Sequence, residues 1–245
     1  NERWTLDLFY PENIHDATPA IVFIHGGGWR NGNKRKWGIL NAAMTFAKKG
    51  YVTASLNYRL IQKNENPAVG IQNGVEDVKC AVRWLRANAE KYNIDPKRIG
   101  GYGNSAGAQL FSMLGLCPPS AGLEGDGPYQ EYSSNIQAVV ASATPTDFTL
   151  FESNEQKRQE ELSKKLSPIT YVHKNAPPFL LFHDTADKTV DIKHSDTFVA
   201  ALKKAKAKDV TYKSYNNGSG HGVSYKNADE TVPLREEFFD RVLGK

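Results

Sequence analysis

Cysteine is scarce in this chain: Cys80 and Cys117 are the only two in 245 residues. Two thiols build neither a disulfide framework nor a zinc site, so both are expected to be unpaired thiols on helices that leave the compartment open. Long apolar runs are missing as well. No stretch approaches the ~18 consecutive apolar residues that cross a bilayer, which argues against a transmembrane helix. Internal repeats, low-complexity tracts and interdomain linkers are absent from the sequence. Charge of one sign is also weak, since 31 Lys and Arg against 27 Asp and Glu give a net +4. The densest basic piece, "LKKAKAKD", has no interleaved aromatics and reads as a solvated helix face, not a nucleic-acid surface. The chain opens at Asn1 without methionine or an apolar targeting segment, as expected of a mature or trimmed form.

What is present is ordinary globular composition, 40% apolar and 24% charged, in a length that suits one large α/β domain. Short apolar runs alternate with longer amphipathic stretches. "WTLDLFY", "AIVFIH", "YVTASLNY", "RIGGYGNS", "IQAVVASATP", "PFLLFHD" and "VTYKSYN" read as strands. Between them, "WGILNAAMTFAKKG", "AGAQLFSMLGL" and "DIKHSDTFVAALKKAK" read as helices, with a last helix ending in "REEFFDRVLGK". In "NGVEDVKCAVRWLRANAEKY", Val75, Val78, Val82 and Leu85 recur at helical spacing. This alternation predicts a mostly parallel sheet with helices on both faces, in one domain over 1–245.

One string sits where such a sheet presents its ligands, at the carboxyl end of a strand. "GYGNSAGAQL" places Ser105 between Gly103 and Gly107, after a strand and before a helix. The flanking glycines imply a turn too sharp for a Cβ. A serine there projects into a cleft, and the following helix N-terminus offers unpaired N–H groups to an oxyanion. A serine hydroxyl needs a general base held by an acid, which in this architecture follow in the order Ser, Asp or Glu, His. Of the six histidines, His15 and His25 precede the serine, His173 sits before a strand, and His194 falls inside a helix. His183 ends a strand, where packing suffices to explain it. His221, in "NNGSGHGVSY", follows the last strand in a flexible loop and is the base expected here. For the acid, "HDTADKTV" supplies Asp184 and Asp187, with Asp191 beyond. Asp184 suits a turn, whereas Asp187 has the better reach; an Asx-turn or helix cap is the structural reading of either.

The second strand ends in "FIHGGGWRNG", whose glycines allow backbone N–H groups to point inward. Gly27 and Gly28, with Ala106, are the expected oxyanion donors, each worth ~3–4 kcal/mol in the transition state. Trp29 and Asn104 are substrate-contact candidates, Trp29 equally well a core aromatic under the loop. Asp147 reads as a cap, Tyr58 and Arg59 as loop anchors, and Asp77 and Trp84 as helix scaffold.

In order along nearly the whole chain, "HGGGWRNG", "LNYRL", "EDVKCAVRWLRANAEKYNIDPKRIG", "GNSAG", "SPITYVHKNAPPFLLFHDTADKTV" and "GHG" resemble the α/β-hydrolase esterases with an HGGGW oxyanion loop. The chain is most similar to compact feruloyl and acetylxylan esterases, near the hormone-sensitive-lipase-like esterases. The resemblance implies the triad Ser105, Asp187 and His221 and an α/β-hydrolase fold. It departs at Asp184, commonly glycine in that family, and at Ala108, where many relatives have glycine. No large cap is expected, because only about twenty residues precede the oxyanion loop and the segment from Glu152 to Lys165 is short and charged. An open cleft suits a short acyl or hydroxycinnamoyl group on a carbohydrate. No metal or organic cofactor is expected, nor a nucleic-acid or membrane partner; the substrate is a small-molecule or polysaccharide ester. The expected location is secreted or periplasmic, with cytoplasmic as the alternative. The competing expectations are a kynurenine-formamidase-like amide hydrolase and a non-catalytic hydrolase-fold binding protein.

Overall fold

The computed structural model describes residues 4–13, 17–151 and 160–244. His15 and residues 152–159 of the charged stretch lie outside the described residues. One sheet holds β1 (Leu6–Phe9), β2 (Thr18–Ile24), β3 (Val52–Leu56), β4 (Ile94–Asn104), β5 (Ala138–Ser142), β6 (Phe179–Asp184) and β7 (Val210–Tyr215). The strand order is β1-β3-β2-β4-β5-β6-β7. Only the β1–β3 pair is antiparallel. The helices are α1 (Trp37–Lys48), α2 (Pro67–Ala87), α3 (Ala106–Leu116), α4 (Glu160–Leu166), α5 (Lys193–Lys204), α6 (Val223–Lys226) and α7 (Ala228–Leu243). Among the described residues no helix is long and apolar enough to cross a membrane.

The apolar runs become strands buried on both sides. In β2, Ala20, Val22 and Ile24 enter one core cluster, and Ile21 and Phe23 enter the other. Continuous burial of this kind belongs to parallel strands covered on both faces. Phe46 of α1 and Phe238 and Phe239 of α7 close one face. Val75 and Val78 of α2, Leu110 of α3 and Phe198 of α5 close the other. Helix α2 starts earlier than its apolar spacing predicts. Asn66 caps it by accepting the Ala68 N–H, and Pro67 occupies the first turn, where its missing donor costs nothing.

The order of the strands locates the crevice. From β2 the chain goes to β3 on one side, crosses back to β4 on the other, and continues outward to β7. The direction of winding thus reverses between β2 and β4. The loops leaving these two strands diverge at their carboxyl ends, where open parallel sheets bind ligands.

Candidate active site

Ser105 alone turns the chain from β4 into α3, with φ 56° and ψ −123°. Such a conformation costs ~1–3 kcal/mol for a residue with a Cβ. Sequence reasoning assigns the sharp turn to the glycines; in the structure the serine carries it, and the glycines serve close approach instead. A Cβ on Gly103 would lie 2.4 Å from the carbonyl carbon of Gly107, and one on Gly107 would lie 2.5 Å from the Ile24 carbonyl oxygen. Helix α3 therefore seats its first turn directly on the end of β2. The strained residue is held by its neighbours: its N–H donates to Ser142 O at 2.8 Å, and its carbonyl accepts from Ala108 and Gln109.

Across the crevice, the loop after β2 lies against the serine. A Cβ on Gly26 would come 3.2 Å from Ser105 Cβ. Gly27 has φ 131° and Gly28 φ 59°, and the Gly27 carbonyl closes the turn by accepting from Arg30 and Asn31. The N–H groups of Gly27, Gly28 and Ala106 have no acceptor among the described residues. Three donors thus border one crevice, and the last stands at a helix N-terminus, where the dipole favours negative charge. Trp29 anchors the loop. Its indole N–H donates to Gln109 Oε1 at 3.1 Å, and Gln109 donates to Leu166 O at 2.9 Å. The half-buried ring meets Phe148 edge-on at 5.5 Å. Asn104 is 8% exposed, and its Oδ1 has no hydrogen-bond partner among the described residues.

The loops after β6 and β7 bring His221 to Asp187: His221 Nδ1 donates to Asp187 Oδ2 at 2.8 Å. The proton on Nδ1 leaves Nε2 as the basic nitrogen, the tautomer a general base needs. Burial pushes the Asp187 carboxyl up. Hydrogen bonds from His183, His221 and the Val190 and Thr189 N–H groups outweigh it and hold the carboxyl well below the usual carboxylate range. The Ser105 and His221 loops share a support, because Ser224 Oγ donates to Ser142 Oγ and the carbonyl of Ser142 receives the Ser105 N–H.

Sequence reasoning did not anticipate a second histidine on Asp187. His183 is fully buried, with Nε2 donating to Val190 O at 2.9 Å and lying 3.3 Å from Asp187 Oδ2. Its Nδ1 meets Ser195 Oγ at 2.7 Å. The four-residue spacing of His183 and Asp187 is the one trace of this in the sequence. Asp184 makes no hydrogen bond to His221 among the described residues; its carboxylate accepts from Ala186, Ser219 and Asn217. Asp191 receives the Lys193 N–H, and Asp147 caps the short turn at Phe148–Leu150. Arg59 is locked to Asp77 at 2.9 Å, and Tyr58 stacks on His25 at 4.6 Å. His194 is buried and receives the Thr146 and Asp147 N–H groups on Nδ1. A cavity of about 900 Å³ opens elsewhere, between β1, α2 and residues 125–129, and neither Ser105, Asp187 nor His221 lines it.

The family model described as BD-FAE matches residues 6–202. Esterase LipC of Mycobacterium tuberculosis is 28% identical over 231 residues, covering 88% of this chain and 55% of that protein. Isoprenylcysteine alpha-carbonyl methylesterase ICME of Arabidopsis thaliana is 29% identical, covering 99% of this chain and 59% of its own length. The chain thus spans about half the length of the curated relatives it matches. Among solved structures, the esterase Est2 of Thermogutta terrifontis superposes with a TM-score of 0.83 at 26% identity, covering 97% of this chain and 87% of that one. Its butyrate-bound form gives 0.84 at 27% identity, covering 97% and 88%. The fold is that of the α/β-hydrolases, and the described residues hold no large cap.

Proposed function

The chain belongs to the BD-FAE family, and we propose that it is a serine carboxylesterase acting through Ser105, His221 and Asp187. The observation that carries the proposal is the junction at the β2–β4 switch point. There a strained serine stands beside the Gly27, Gly28 and Ala106 N–H groups, which have no acceptor among the described residues, and the loops after β6 and β7 supply an imidazole already paired with a carboxylate. His221 Nε2 takes the proton of Ser105 as Oγ attacks the ester carbonyl. The carbonyl oxygen becomes an oxyanion facing the N–H groups of Gly27, Gly28 and Ala106. Collapse breaks the C–O bond to the alcohol, which leaves with the proton held by His221. Water then repeats the sequence on the acyl-serine and releases the acid, so no cofactor enters.

Within that chemistry, the proposed substrates are short-acyl or hydroxycinnamoyl esters of carbohydrates. A crevice that no large cap covers among the described residues favours a bulky polar alcohol, and Trp29, Phe148 and Phe151 form an aromatic row beginning at the oxyanion loop. A secreted or periplasmic location belongs to the same proposal. The test compares p-nitrophenyl acetate, p-nitrophenyl octanoate, methyl ferulate, acetylated xylan and N-formylkynurenine with wild type and Ser105→Ala. Turnover of acetate, ferulate or acetylxylan that vanishes in Ser105→Ala is the expected result. Preference for the octanoate ester or the formamide would refute the substrate class, and activity retained by Ser105→Ala would refute the nucleophile.

A further inference from the structure

Asp184 stands three residues before the proposed catalytic acid, fully buried at the end of β6. Each of its oxygens serves a different loop. Oδ1 receives the Ala186 N–H at 2.7 Å, within the loop that carries Asp187. Oδ2 receives the Ser219 hydroxyl at 2.8 Å and the Asn217 N–H at 3.3 Å, within the loop that carries His221. Burial raises the Asp184 carboxyl, but these donors outweigh it and keep it below the usual carboxylate range, so the group stays ionised and accepts only. No hydrogen bond joins it to His221 among the described residues. The two loops also touch directly, since the Thr185 hydroxyl donates to Asn216 Oδ1 at 2.9 Å.

We infer that Asp184 is a positioning residue which clamps the His221 loop to the Asp187 loop, so that one buried carboxylate sets the reach of the imidazole while its neighbour holds the imidazole's proton. The inference rests on the esterase reading above. The β7–α6 connection is the part that needs such a clamp. Its glycines Gly218 and Gly220 have φ 75° and 58°, and a loop with that freedom does not hold a ring nitrogen to one place unaided. Ser219 is the matching half of the device: it is 4% exposed, and its hydroxyl is spent on Asp184.

Asparagine at 184 keeps the volume but has a single acceptor oxygen, so one loop loses its anchor and an amide N–H₂ faces other donors. A displacement of about 1 Å at the base costs on the order of 100-fold. Asp184→Asn is therefore expected to lower kcat for p-nitrophenyl acetate by about 10- to 100-fold, with KM nearly unchanged. The downfield proton resonance of the His221–Asp187 hydrogen bond should broaden or vanish in the folded variant. Ser219→Ala removes one donor and should shift both readouts less, in the same direction; it remains informative if Asp184→Asn does not fold. Wild-type kcat and an unchanged resonance in the folded variants would overturn the clamp. A kcat loss in Asp184→Asn that exceeds that of Asp187→Asn would overturn it too, by making Asp184 the acid. Activity that survives in Ser105→Ala, measured alongside, refutes the esterase reading separately.

Discussion

Replacing Gly107 by alanine separates what the second glycine of the elbow does for catalysis from what it does for stability. Gly107 does not have a positive φ, so alanine meets no dihedral penalty there and gains about 1 kcal/mol of helix propensity. Space decides the outcome. The new Cβ would lie 2.5 Å from Ile24 O and 2.9 Å from His25 O, whereas ordinary contact begins at 3.4 Å. Both oxygens are backbone at the end of β2, which is paired on both sides and has no rotamer through which to yield. The first turn of α3 must therefore withdraw by about 0.9 Å, taking Ser105 and the Ala106 N–H away from Gly27 and Gly28. Overpacking costs about 1–3 kcal/mol, so after the propensity gain the net loss is about 1 kcal/mol and Tm falls by about 2–4 °C. The catalytic loss is larger, on the order of 100-fold in kcat. The assay is p-nitrophenyl acetate turnover beside a calorimetric melt. Gly122→Ala is the control: φ is 66° and its nearest neighbour is Lys165 Nζ at 4.0 Å, so about 1–2 kcal/mol of strain should appear without loss of kcat. Wild-type turnover in Gly107→Ala would refute the reasoning, because both clashing oxygens are backbone.

Ser105→Gly should be inactive yet more stable than wild type by about 1 kcal/mol, the relieved strain exceeding the entropy of glycine; a lower Tm would show that the elbow stores no strain. Asp187→Asn should lower kcat by about ten-thousand-fold through the wrong imidazole tautomer. Its folded-state carboxyl lies below the ordinary 3.8, so the stability it contributes is full above that pH and lost as pH falls toward the folded value. Urea titrations should show a flatter acid limb in the variant. His194 is pushed down from 6.5 to about 4 by burial. Between those values the unfolded chain binds a proton that the fold excludes, so stability falls by about 3 kcal/mol as pH drops through the window. His194→Gln should flatten that slope in denaturant titrations, and an unchanged slope would count against a neutral buried imidazole.

The strands and helices were legible in the sequence because burial is encoded locally: two-sided apolar runs for strands, and Val75, Val78, Val82 and Leu85 for one helix face. The positions of Ser105, His221 and the HGGG loop at strand ends were legible for the same reason, each being a short-range transition from an apolar run to a turn. Which aspartate meets His221 was only inclined toward Asp187, and the contacts of His183, Asp184 and Gln109 were not readable at all. Those depend on how loops 34 or 35 residues apart pack across neighbouring strands and on how α3 meets Trp29 and α4. The turn at the serine makes the same point. Two glycines around a serine announce a tight place in the chain, but only the packing of α3 on β2 decides that they yield room to a neighbouring backbone, while the serine itself takes the left-handed bend.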